Sequence, residues 1–379
     1  MTRLPSACLI AALLGAWVVH PASAVEVDAV SLPLPKSFPK GDYWPGEHDR
    51  EAVIHVQMTV NEAGKAEDIE VVDGFYEKRF VDAAIQYIRR MEFSPANRNG
   101  VPERYEGLRY AVKFQIGTER IMGVTPNFRK ELDKAVQLIR EDKPAEAQSQ
   151  VNHMLAEEVT LLYEVGVMYA ILAETSHQNG KLIDALYYSR KASEPLDFSF
   201  PGYQPGKSPP QNKIRRYSLP KEMLEAVLRR RIYLDANLGY PVDGLQAYWE
   251  LTGFGPLSPD DGMVKLAADM QRLAESGKPV TAQAVIPSIG SWHHLPVRRA
   301  FTVMSVAGGR LEKVIVSCGK SYYRRLPFQS DVDWILPARF DRCGIRFEGD
   351  PGTRFRIVEA ELSADADPEG AISRGAGTP

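Results

Sequence analysis

Gly319-Lys320-Ser321 has the residue types that close a phosphate-cradling loop. Such a loop needs a glycine five positions earlier and a helix after it, so that backbone N–H groups converge on the phosphates. Val314 stands where that glycine is needed, and the segment leaves a strand pattern. Nucleotide binding is therefore not expected. His293-His294 offers two imidazoles, but adjacent residues on a strand point to opposite faces. A closed metal site needs about four ligands, and no further ligand stands nearby in sequence. A structural or surface role is expected, and no metal is assigned. Asp331 and Asp333 have the types for an acid–base pair. They flank Val332 with no companion motif, so a turn or strand-edge role fits them better. Arg229-Arg230-Arg231 would diverge by about 100° per residue on a helix and form no single anion patch. A solvated face is expected there. No Gly-x-Ser-x-Gly element or His-Glu-x-x-His helix occurs. The expectation is a protein without cofactor or catalysis. The alternative is an enzyme whose site is assembled from residues with no local motif.

Cysteine carries the remaining chemistry. Cys8 lies within an N-terminal segment that has Arg3, an apolar run from Ala7 to Val19, the breaker Pro21 and the small-x-small site Ala22-Ser23-Ala24. That is the pattern of a secretory signal cleaved after Ala24. The alternative is an uncleaved anchor in the inner membrane, facing the periplasm. Cleavage leaves Cys318 and Cys343, and an even pair in an exported chain favours a disulfide. Closing the loop of 26 residues from Cys318 to Cys343 would stabilise the chain by about 3.5 kcal/mol in the chain-entropy account.

The elements that hold these residues fall into three regions. In the first, Ile54, Val56, Met58 and Val60 alternate with His55, Gln57 and Thr59, the period of a half-buried strand. Asn61-Glu62-Ala63-Gly64 is a turn, and Ile69 and Val71 continue a second strand. Phe80, Ala84, Ile88 and Met91 then share one helical face. Phe93-Ser94-Pro95-Ala96 stops the helix, since residues before proline leave the α region. Asn99-Gly100 turns the chain into a long strand through Leu108, Tyr110, Val112, Phe114 and Ile116.

Those residues carry a resemblance. Thr59 to Asp73, the helix Phe80 to Phe93 and Ser94-Pro95-Ala96-Asn97-Arg98-Asn99-Gly100-Val101-Pro102 resemble the C-terminal domain of TonB-type energy transducers. The resemblance implies a small ββαβ domain in the periplasm whose last strand accepts a peptide from an outer-membrane receptor. The chain departs from that family in having only Val25 to Arg50 ahead of the domain and a long continuation after it.

The second region is helical. Leu132, Ala135, Val136 and Ile139 share a face; Val151 and Leu155 continue. Leu161, Leu162, Val165, Tyr169 and Leu172 line another helix, and Leu182, Ala185, Leu186, Ser189 and Ala192 the next. Leu162 to Tyr169, with Ala185, Ser189 and Ala192, resembles tetratricopeptide-type hairpins, though the spacing is wider than in a repeat of about 34 residues. Plain helical packing fits equally well. A Pro-rich break runs from Glu194 to Pro220. Helical pattern returns over Lys221 to Leu238, Val242 to Leu251 and Met263 to Leu273. In the third region the period changes to two. Phe301 to Val306 and Leu311 to Cys318 read as a hairpin around Ala307-Gly308-Gly309-Arg310, and Thr353 to Leu362 as a closing strand.

The expected class is a multidomain α+β protein. It has a signal peptide (1–24), a linker (25–50), a TonB-like domain (51–120) and a helical repeat-like domain (126–278). A disulfide-stapled β-sandwich-like or small-barrel domain (285–362) and a disordered tail (363–379) follow. The 379 residues are 44% hydrophobic and 25% charged, with net charge −3. That balance gives no basic footprint for nucleic acid. The expected function is binding of envelope proteins or outer-membrane receptor peptides by strand addition; the alternative is energy transduction from an uncleaved anchor. Membrane association is expected only if the signal is uncleaved. The docking candidate is the last strand of the small domain, whose alternate side chains Arg109, Ala111, Lys113 and Gln115 would meet the partner or solvent.

Overall fold

The structure, a computed structural model, describes residues 30–39, 44–46, 49–116, 123–194, 218–287, 291–318, 322–330, 332–336 and 343–361. The expected signal segment, Gly319-Lys320-Ser321, Asp331 and the C-terminal tail lie outside these residues. Within them the chain is mixed α+β, with eight helices and several sheets.

The first region begins with β1 (Val30–Ser31) and β2 (Pro35–Ser37), then β3 (Ala52–Val60), β4 (Ala66–Phe75) and α1 (Lys78–Arg90). It continues through β5 (Glu92–Phe93), β6 (Ala96–Arg98), β7 (Val101–Glu103) and β8 (Tyr105–Phe114). Three strands form an antiparallel sheet in the order β4-β3-β8. Ile54, Val56, Met58 and Val60 point to one face and pack with Phe80, Ala84 and Ile88 of α1. Each such large apolar side chain stabilises the fold by about 1.5–3 kcal/mol through burial. Trp44 closes this core edge-on against Phe80 and Phe114. The turn after β3 requires glycine. Gly64 has φ +77, and a Cβ there would lie 2.1 Å from the Phe93 carbonyl oxygen. The stretch expected as a linker contributes strands: β1 pairs with β6, and β2 with β5. Helix α1 stops at Arg90, with Met91 already extended, ahead of the proline expected to end it.

The helical region comprises α2 (Pro126–Arg140), α3 (Pro144–Glu157), α4 (Leu162–Gln178) and α5 (Leu182–Ala192). It continues with α6 (Lys221–Leu238), α7 (Pro241–Thr252) and α8 (Gly262–Glu275). Proline occupies the first turn of α2, α3 and α7, where no intrahelical N–H is needed. Val165, Met168, Leu172, Leu224, Leu228 and Ile232 anchor a shared apolar core. The three consecutive arginines diverge, as helix geometry requires, but they are not a solvated face. Arg229 pairs with Asp261, Arg230 with Glu174, and the buried Arg231 with Asp235.

The last region contains β9 (Val280–Val285), β10 (Trp292–His294), β11 (Ala300–Ala307) and β12 (Leu311–Cys318). After these come β13 (Tyr322–Pro327), β14 (Asp333–Ile335), β15 (Cys343–Gly349) and β16 (Arg354–Ala360). They form two four-stranded sheets, β10-β15-β12-β13 and β14-β11-β16-β9. The expected hairpin of β11 and β12 does not form. The Gly308-Gly309 turn instead carries the chain from one sheet to the other, and each strand finds partners from later in the sequence. Phe301, Val303, Val316, Phe347, Phe355 and Ile357 fill the core of this region. Cys318 and Cys343 stand directly opposite each other on β12 and β15 and are bonded as a disulfide. Asp333 lies exposed on the edge strand β14, where its carboxylate accepts from Thr302.

Candidate functional site

Every residue of β3 is buried. The alternation of apolar and polar residues predicts one solvated face, yet His55, Gln57 and Thr59 are nearly as enclosed as their apolar neighbours. The rest of the chain covers that second face. Val53 joins the helical core, with Phe75 and Ala111 packed against it. From the last region, β13 reaches each strand of the sheet. The Tyr323 hydroxyl bonds the Gln57 amide, and Arg325 forms a forked ion pair with Glu70 on β4. Gly107 on β8 has φ +80, and a Cβ there would fall 2.4 Å from the Tyr323 ring. Arg346 on β15 donates to the Gln57 side-chain oxygen at 3.1 Å.

The start of β3 is tied to α4. Glu51 donates its N–H to the Thr160 carbonyl at 2.7 Å. Its carboxylate accepts from the N–H groups of Leu162 (2.9 Å) and Ile116 (3.1 Å). A carboxylate at the first turn of a helix meets unpaired N–H groups and the positive end of the helix dipole. Glu164 completes this end by accepting from the N–H groups of Thr125, Thr160 and Leu161.

At the centre of the seam lies a group of ions. Lys191, in the last turn of α5, sits 2.8 Å from Asp73 on β4 and 2.8 Å from Glu194. Glu194 is 3.4 Å from His55. Burial lowers the Lys191 ammonium, but Asp73 and Glu194 outweigh it and hold it well above the ordinary lysine range. Burial raises the Glu194 carboxyl, and the charges of Lys191 and His55 bring it down below its usual value. Around these groups is a pocket of about 40 Å³, lined by His55, Tyr169, Lys191, Glu194 and Ser218 among others. His55, Asp73 and Glu194 each present one ligand atom within 4.8 Å of the others. The Lys191 ammonium pairs with both carboxylates, so these groups form an ion-pair cluster.

The four candidate docking residues can now be placed. Arg109 registers with Gln57, Ala111 with His55 and Lys113 with Val53, all on the covered face. Ala111 packs on the helical core. Burial, and then the neighbouring Arg346, lower the Arg109 guanidinium to about 9, still protonated at neutral pH. Lys113 and Gln115 are half-buried. The expectation that this row faces outward is therefore corrected for Arg109 and Ala111, which turn into the molecule. What β8 leaves open is its edge: among the described residues it pairs with β3 alone. The two adjacent histidines do point to opposite faces. His294 bonds Glu359 at 2.9 Å inside the last region, while His293 looks towards the seam.

Sequence reading missed the seam. Lys191 and Glu194 are near neighbours on paper, but nothing local announces Asp73, His55 or Tyr323 as their companions. The polar residues on an otherwise buried strand were the available signal.

The ββαβ unit of β3, β4, α1 and β8 is the fold that the TonB-type resemblance implies. Residues 47–116 match the family model described as Gram-negative bacterial TonB protein C-terminal. No curated protein matches the chain. The chain thus carries a TonB-like domain of a kind involved in envelope protein interactions. Among the described residues no helix is long and apolar enough to cross a membrane.

Proposed function

We propose that this chain is a non-enzymatic periplasmic binding protein that captures an extended segment of an envelope protein on the edge of β8 that has no strand partner among the described residues. The observation that carries the reading is the contrast between the two edges of the sheet. The register of β8 on β3 runs without a shift from Phe114 opposite Ala52 to Leu108 opposite Met58, and shifts once at the start of the strand, where Gly107 has φ 80. The β4 side is interrupted by two irregularities, with Asp68 at φ 48 and Gly74 at φ 141. Bulged edges resist pairing, while a regular edge offers N–H and C=O groups to an added strand. Main-chain bonds would supply affinity. The helical region serves as a scaffold, and the residue pattern of Leu162 to Tyr169 on α4 with Ala185, Ser189 and Ala192 on α5 supports a tetratricopeptide-like ancestry for it, although the spacing is wider than in the repeat.

The test uses isotope-labelled protein and extended peptides from the periplasm-facing ends of outer-membrane receptors. Amide shifts concentrated on Tyr105–Phe114 support the reading. Shifts elsewhere, with β8 unchanged, refute it. Ala111→Pro, checked for folding by circular dichroism, should weaken that binding because proline removes a ladder donor.

A second reading, an energy transducer with a retained N-terminal anchor, is favoured by the family match. The bonded seam weighs against it, because a domain fixed to a larger body is poorly suited to extend on a tether. The mass of the native N-terminus separates the two readings: Val25 supports the first and Met1 the second.

A further inference from the structure

Three side chains from separate elements converge beside the small pocket at the seam, and strand addition at β8 has no use for them. His55 is 3% exposed on the inner face of β3. Asp73 stands directly opposite it on β4. Glu194 lies just beyond the end of α5. Each offers one ligand atom, and the three atoms lie within 4.8 Å of one another. Glu194 Oε1 is 3.4 Å from His55 Nδ1. Two ligands of a tetrahedral zinc ion, each bonded at about 2.0–2.1 Å, lie about 3.3–3.4 Å apart. An imidazole with carboxylates is an ordinary donor set for such an ion. Burial holds the His55 ring below its ordinary value, which favours the neutral form that ligates. His55 and Glu194 also line the pocket of about 40 Å³. A water-sized fourth ligand needs roughly 10–15 Å³.

The Lys191 ammonium uses one oxygen of each carboxylate, Asp73 Oδ1 and Glu194 Oε2, at 2.8 Å. His55 meets the other Glu194 oxygen, so an ion between the two would lie on the Oε1 side, away from the ammonium's own contact. Two carboxylates share this one ammonium, and the second negative charge is left to cations farther off, such as Arg109 on β8. A divalent ion would meet that charge at bonding distance.

We propose that His55, Asp73 and Glu194 form a site for one divalent transition-metal ion of the zinc type, with Lys191 as its tethered competitor. The ligands come from β3, β4 and the end of α5, so the bound ion pins the TonB-like sheet to the helical region. An ion that binds only the closed seam stabilises it by mass action. The ammonium shares both carboxylates with the ion, and its positive charge weakens ion binding at this short range.

The test uses the full chain without an affinity tag, freed of metal by a chelator. Calorimetric titration with zinc should show one ion bound per chain. Cobalt at the same site should give the visible absorption of a four-coordinate ion. The imidazole NMR signals of His55 should shift when zinc is added. H55Q should bind zinc about a hundredfold more weakly, since one of three protein ligands is lost. K191M should bind it about tenfold more tightly. A wild-type chain that takes up no zinc, or His55 signals that stay in place, would overturn the proposal. Equal binding by H55Q would do the same, because it would identify an adventitious ion only. A K191M variant that binds no more tightly would overturn the role given to Lys191. The wild-type titration and the His55 signals need no variant, so a substitution that prevents folding leaves the test intact. No peptide is added, so the outcome is independent of whether β8 docks one.

Discussion

Lys191 and Asp73 form a 2.8 Å ion pair that joins the helical region to the TonB-like sheet, with both side chains largely enclosed. The pair sits where α5 ends and β4 ends, and Glu194 closes it from the other side. Lys191→Met leaves two carboxylates in the seam without their cation. Breaking a buried pair costs about 3–5 kcal/mol. The partial exposure of Glu194 reduces the expected loss to about 2–3 kcal/mol. Urea denaturation measures it. The double variant K191M/D73N should lose less than the sum of the single changes, because the two residues share one interaction.

The disulfide joins neighbouring strands in the sheet that also supplies Tyr323 and Arg346 to the seam. Cys318→Ser should lower stability by about 3 kcal/mol, since the reduced chain recovers loop entropy when unfolded. Thiol titration of denatured, unreduced protein should find none in a chain that begins at Val25. A chain that retains Met1 should show one, from Cys8.

Glu70 is held below the ordinary carboxyl range, first by its hydrogen bonds from Arg325. Its folded value is depressed, so its contribution is complete above about pH 4.5 and is lost as pH falls through the folded value. The pair is half-exposed, and Glu70→Gln should cost no more than about 1 kcal/mol. The variant should also remove that share of the acid dependence. Denaturation midpoints compared between pH 7 and pH 3 check both points.

Gly107→Ala combines two faults, a left-handed backbone conformation and a clash with the Tyr323 ring. The conformation alone costs about 1–2 kcal/mol. A lower melting temperature is expected. Adding Tyr323→Ala should recover only the clash. Full recovery in the double variant would show that the backbone conformation at this position carries no cost.

Periodicity made the small domain legible. The strands β3, β4 and β8 and the helix α1 each repeat apolar residues at the spacing their geometry requires. The disulfide was legible because the expected removal of Cys8 with a signal leaves Cys318 and Cys343 as an even pair with one pairing. The face of β3 was misread for a physical reason. Periodicity separates apolar from polar positions, and His55, Gln57 and Thr59 look the same whether they meet water or a buried seam that satisfies them. The partners of that seam come from α5, β13 and β15, remote in sequence, and their meeting depends on how whole layers pack.

The Gly308-Gly309 turn shows the same division. Its residues determine that the chain reverses between β11 and β12, because glycine permits φ +81 there. They do not determine which strand lies beside each. That choice belongs to the tertiary structure, where burying Phe301 and Val303 against Val316 and Phe347 between two sheets removes more apolar surface from water than one flat hairpin would. By itself the sequence determined the local elements, the cysteine pair and the resemblance of the first region. Only the packing of the layers decided that Arg109 and Ala111 turn inward, that among the described residues β8 pairs with β3 alone, and that His55 is enclosed at the seam.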